Sequence, residues 1–186
     1  TVNLAGGGAS TGPGIFNTSS GATVSFGNSY TFNSGSLFTG AGTNLLAAGT
    51  FTLNGDISFT RLTQTAGTIA GTHLQNGVFD FLGGSWASSG ASTIASNSTL
   101  TVAANLPVNP RSITNHGTVA WATGTISTGD GIGIYNHGLW DAQGNQIQHV
   151  GGPVATFHNA GTFRKSGGPA TTTINTAVNF NNTGTL

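Results

Sequence analysis

Four aspartates, four basic residues and five histidines, with two tyrosines, are the whole set of side chains here that could move a proton or hold a metal. Hydrolysis of a glycosidic bond normally needs two facing carboxylates, so the acids are the first test for catalysis. Asp130 and Asp141 stand eleven residues apart, and Asp56 and Asp80 stand 24 apart. The second spacing could put two acids on one face of a repetitive fold. Yet Asp130 in Thr-Gly-Asp-Gly and Asp56 in Asn-Gly-Asp read as turn residues. Asp80, between Phe79 and Phe81, alternates out of a strand towards solvent. No catalytic residue is assigned, and the chain is not expected to be an enzyme; a polysaccharide lyase or hydrolase is the catalytic alternative.

The histidines offer a weaker hint. His116 and His137 hold the same place in two copies of a short motif, so their rings should stack about one strand spacing apart if that place faces outward. A weak metal site or a pH-sensitive patch would follow, but His158 is displaced by two motif positions and no third ligand is evident. Trp86 and Trp121 are candidate ligand-facing aromatics on which a sugar ring could stack; the alternative is that they fill a wide part of the core. Gly6-Gly-Gly8 and Gly12-Pro-Gly14 lack the lysine of a phosphate loop and read as turns. No nucleophile elbow and no repeated calcium nonapeptide occurs. No cofactor is expected.

Only 4% of the 186 residues are charged, against roughly 25% in an ordinary soluble domain. Glu, Met and Cys are absent, while Gly, Thr, Ser, Asn and Val fill the chain. That composition disfavours helix and favours strands separated by turns. Eleven Phe, three Trp and regularly placed β-branched residues give it a core to bury, unlike a disordered chain. A formal net charge of zero leaves no electrostatic footprint for nucleic acid or anionic lipid. No apolar stretch approaches the roughly 20 residues that cross a bilayer, so no membrane insertion is expected in this segment.

The elements that must position these side chains come from a repeat. Four segments share an apolar residue, Asn, Gly and a second apolar residue at alternate positions. They are Ile113-Thr-Asn115-His-Gly117-Thr-Val119, Ile134-Tyr-Asn136-His-Gly138-Leu-Trp140, Phe157-His-Asn159-Ala-Gly161-Thr-Phe163 and Phe180-Asn-Asn182-Thr-Gly184-Thr-Leu186. The asparagines lie 21, 23 and 23 residues apart. Ile126 and Ile147 each follow their Asn by eleven residues and Ile174 follows by fifteen, the excess falling near Ser166–Pro169. Residues 1–112 carry looser copies of variable spacing around Gly35, Gly49, Gly67, Gly77 and Asn97, whereas 113–186 are regular. The pattern predicts an all-β parallel β-helix (β-solenoid), one domain over 1–186, of about eight coils of roughly 20–25 residues. Val119, Trp140, Phe163 and Leu186 should form one interior ladder, and Ile113, Ile134, Phe157 and Phe180 another. Asn115, Asn136, Asn159 and Asn182 should form a hydrogen-bonded ladder, and the motif glycine should turn a corner at positive φ. A β-sandwich also has short strands but does not require one motif on a fixed pitch.

The phrases Leu62–Gly71, Asn115–Gly124, Phe157–Gly168, Thr171–Asn175 and Phe180–Leu186 span about two thirds of the chain. In repeat style they resemble the repetitive regions of large bacterial surface proteins, the filamentous haemagglutinin-like adhesins and autotransporter passenger domains. The resemblance implies a right-handed coil, an extracellular or cell-surface location, and service as stalk, adhesin, filament or biofilm matrix component. It supplies no catalytic residues. Expected partners are copies of the rod itself, end to end or laterally, and a polysaccharide; a carbohydrate-binding module is the alternative function, and ice binding by a threonine array such as Thr171–Thr173 a minor one. Ending in mid-motif at Leu186, the chain is expected to be a fragment of a longer repetitive protein.

Overall fold

Alternating apolar and polar residues in runs of three to five, broken by glycine, give short strands and no helix. The computed structural model describes residues 1–186 as 24 strands, every named pair of which is parallel. No helix is long and apolar enough to cross a membrane. The strands coil around one axis as a β-solenoid with three faces. Along each coil the chain runs over face A (Tyr30–Phe32, Thr125–Thr128), then face B (Leu37–Thr39, Gly133–Asn136), then face C (Thr43–Leu46, Leu139–Ala142). Nine strands or strand segments stack on face B, so the solenoid has nine coils rather than about eight. Coil length varies from 17 residues, Leu62 to Phe79, to 27, Ile147 to Ile174.

Stacking puts chemically matched side chains in register. On face C nine stacked strands align Val2, Val24, Asn44, Leu62, Phe79, Leu100, Val119, Trp140 and Phe163 in one column, which is apolar except for Asn44 and is exposed only at its first member, Val2. Leu186 does not join it: the residue is 79% exposed, and only Thr185 bridges to the coil below, at Thr162. On face B the ladder Ile113, Ile134, Phe157, Phe180 is present and starts lower, at His73 and Ser92. On face A, Leu106, Ile126, Ile147 and Ile174 align, and the extra residues of the last coil form the connection between Thr162–Arg164 and Thr173–Ile174. A single cluster of 31 buried apolar residues results.

The looser N-terminal copies of the motif prove to belong to different corners. Gly77 precedes Phe79 at the B-to-C corner, as Gly117 precedes Val119, but Gly49 and Gly67 lead into face A, and Asn33–Ser36 lead from face A into face B. Their spacing varied because three turns were being read as one. The motif glycines Gly117, Gly138, Gly161 and Gly184 also depart from expectation. None has positive φ, unlike Gly49, Gly67 and Gly124 at the C-to-A corner. They are glycine because the corners stack too closely for a side chain. A Cβ on Gly138 would lie 2.1 Å from the Gly117 carbonyl oxygen, and one on Gly161 2.2 Å from that of Gly138.

Candidate functional site

The inner wall of face B carries the asparagine ladder. Asn115, Asn136 and Asn159 are fully or almost fully buried, and each donates from Nδ2 to Oδ1 of the next asparagine, at 2.8, 2.6 and 2.6 Å. Each also donates to a main-chain carbonyl of the following coil, those of Leu139, Thr162 and Thr185, at 3.0 Å. Asn182, in the last coil, is exposed. A buried amide is costly unless its donors and acceptors are paired. Stacking identical amides pairs them coil after coil, so the ladder works as an internal clamp and sets the register.

The outer wall of the same face carries the rings. His116 and His137 stack as expected, with centroids 5.0 Å apart and planes 11° apart. One residue before each asparagine, Tyr135 stacks on His158 at 4.9 Å and 4°, so His158 pairs with the tyrosine rather than with the other histidines. Parallel rings keep equivalent nitrogens about as far apart as their centroids. A zinc ion with bonds of about 2.0–2.1 Å reaches two donors at most about 4.2 Å apart. His116 and His137 therefore do not chelate one ion as placed, and no group of three or more metal-ligating side chains comes together elsewhere.

Trp86 and Trp121 are corrected from ligand-facing to core. Both are 0% exposed. The Trp86 indole donates to Gln64 Oε1 at 2.9 Å, and the Trp121 indole donates to the Gly124 carbonyl at 3.2 Å. Trp121 faces Ala142 in the next coil and occupies space that Gly144 leaves open. Small partners on the neighbouring coil make room for the large ring, which is why it turns inward.

No two of the four acids are neighbours: Asp80 and Asp141 share one column on face C but stand three coils apart, with Thr101 and Ala120 between them. Asp56 lies opposite Leu74 on face B; Asp80 lies between Thr63 and Thr101 on face C, and Asp141 between Ala120 and Arg164. Asp130 sits at the A-to-B corner with φ of 51°, a turn residue as its neighbours indicated. Asp80 pairs with Arg61 at 2.8 Å and Asp141 with Arg164 at 3.0 Å. Around Asp141, Gln143 donates to the carboxylate at 3.2 Å and to Ser166 Oγ at 3.0 Å. Burial pushes the Asp141 carboxyl up, but hydrogen bonds from Ser166, Arg164 and Gln143 and the Arg164 charge outweigh it and hold it below the ordinary range. This knot ties the longer last coil to face C. Sequence reading missed it because Gln143 and Ser166 carry no motif and meet only through the coil register. No protein-family model, curated protein or solved structure matches the chain.

Proposed function

We propose that the chain is an extracellular structural and adhesive rod, of the kind that forms the repetitive regions of filamentous haemagglutinin-like adhesins and autotransporter passengers. The observation that supports it is the column of nine stacked strands in register on face C. Packing that continuous gives a stiff scaffold whose coils contact only their neighbours. Its outer faces are rows of threonine, serine and amides, with charge largely confined to two ion pairs. Weak self-repulsion permits close association of neighbouring rods. Electron microscopy of the purified protein together with attachment of protein-coated beads to cells tests this. Lateral or end-to-end assemblies and bead attachment are expected; monodisperse particles that neither associate nor attach would overturn it.

A carbohydrate-binding reading is favoured by one observation, the exposed ring of Tyr135 (40%) stacked on His158. On a glycan array any signal should fall at least tenfold in Tyr135→Ala, and Trp121→Ala should act only through stability. An unchanged signal in a folded Tyr135→Ala protein removes this reading.

A further inference from the structure

Where face A turns into face B, the core of the middle coils is polar. His73 and Gln75 point inward from one strand, 3% and 0% exposed, and neither the ring nitrogens of His73 nor the amide atoms of Gln75 have a hydrogen-bond partner. Two coils on, Arg111 is fully buried with no carboxylate among its partners. It donates to the carbonyls of Ile69, Gly71, Trp86 and Ser89 and to Ser92 Oγ, at 2.8–3.3 Å. Those five bonds use every N–H of the guanidinium and staple the fourth, fifth and sixth coils together. The staple holds a positive charge beside the His73 imidazole, which lies directly below Ser92 in the ladder.

No anion faces His73 from the surrounding elements. On the strand below, Asp56 lies opposite Leu74 and is exposed, as is Arg61; on its own strand Asp80 points outward and pairs with Arg61. Thr68–Ala70, Ala91–Ile94 and Thr99–Val102 carry no titratable residue. A proton added to His73 would place a second cation next to Arg111 in a core with nothing to neutralise either. We propose that the fourth coil is an acid-triggered release point: protonation of His73 beside Arg111 opens the fourth and fifth coils and the staple that ties them to the sixth, while the sixth to ninth, clamped by asparagine from Asn115 onward, stay closed.

The direction follows from linkage. Burial, then the Arg111 charge, pushes the His73 imidazole down to about 3 from the ordinary 6.5. Between those values the unfolded chain binds the proton and the folded one does not. This contribution to stability is therefore whole above the ordinary imidazole value and falls about tenfold in folding constant per pH unit below it, until the folded group titrates.

The test compares wild type with His73→Leu, by denaturant unfolding and by hydrogen exchange read by mass spectrometry. From pH 6.5 to 4.5 the wild-type folding constant should fall about 50-fold more than that of His73→Leu. The lost protection should fall within residues 69–111, with 133–182 unaffected. Equal pH dependence in the two proteins, or loss spread evenly along the rod, overturns the proposal. If His73→Leu does not fold, the wild-type imidazole signal decides by NMR: a charged His73 in an intact rod at pH 5 overturns the proposal, and a neutral one supports it.

Discussion

A methyl group on Gly138 would sit 2.1 Å from the Gly117 carbonyl oxygen, closer than any contact a packed chain tolerates, so the corner must shift to admit it. Gly138→Ala should therefore destabilise the rod by about 1–3 kcal/mol, the usual cost of overpacking. Gly12→Ala, with nothing within 4 Å of the new carbon and no positive φ, should change stability by no more than about 0.5 kcal/mol. Thermal or urea melts of the two variants check the difference. Asn136 presents the same logic in hydrogen bonds. It accepts from Asn115 and donates to Asn159 Oδ1 and the Thr162 carbonyl. Asn136→Leu leaves those buried groups short of partners, at about 1–3 kcal/mol for each one left unpaired. Denaturation of Asn136→Leu should show a loss of at least about 2 kcal/mol, and a neutral result would mean the ladder adds nothing beyond its shape.

At the scale of the coil, what matters is that a large side chain on one turn is matched by a small one on the next. Trp121 stands over Ala142, and a Cβ on Gly144 would come within 1.9 Å of its indole. Gly144→Ala should expel or tilt the indole, seen as a red-shifted tryptophan emission and a loss of about 1–3 kcal/mol. The fluorescence of Trp86 and Trp140 should not move, which Trp121→Phe controls can verify. The four regular coils were legible because Asn-x-Gly recurs on a nearly fixed pitch, and their ladders through Val119, Trp140 and Phe163 could be drawn from spacing alone. The inward turn of Trp121 could not, because it depends on Ala142 and Gly144 in the next coil, residues with no signature of their own. The first five coils hid their register for a related reason. Glycine marks all three corners, and without side-chain chemistry as distinctive as the buried asparagine, Gly49, Gly67 and Gly77 look alike. His73 and Arg111 stayed unread because nothing local says that a lone histidine and a lone arginine 38 residues apart face the same interior.

For the rod as a whole, the scarcity of charge decides how neighbours meet. Arg61 pairs with Asp80 and Arg164 with Asp141 on face C, Arg111 is buried, and the named strands of face A hold no Asp, Lys or Arg. Face A presents Thr31 and Thr52 in one stretch and Thr125, Gln146 and Thr173 in another, hydroxyls and amides in register along the axis. Long-range repulsion between such rods is small, so association depends on burial and hydrogen bonding rather than on ion pairing. Raising the ionic strength from about 0.01 to 1 M shortens the Debye length from about 30 to 3 Å. For a surface held together by charge, that change would dissolve the assemblies. Here light scattering should show association unchanged or stronger across the range, since excluded salts favour burial. A Thr52→Lys, Thr125→Lys, Gln146→Lys variant places three like charges on the neutral face and should disperse the rods at low salt, with recovery at high salt. If the triple variant associates as well as wild type at low ionic strength, face A is not where the rods touch.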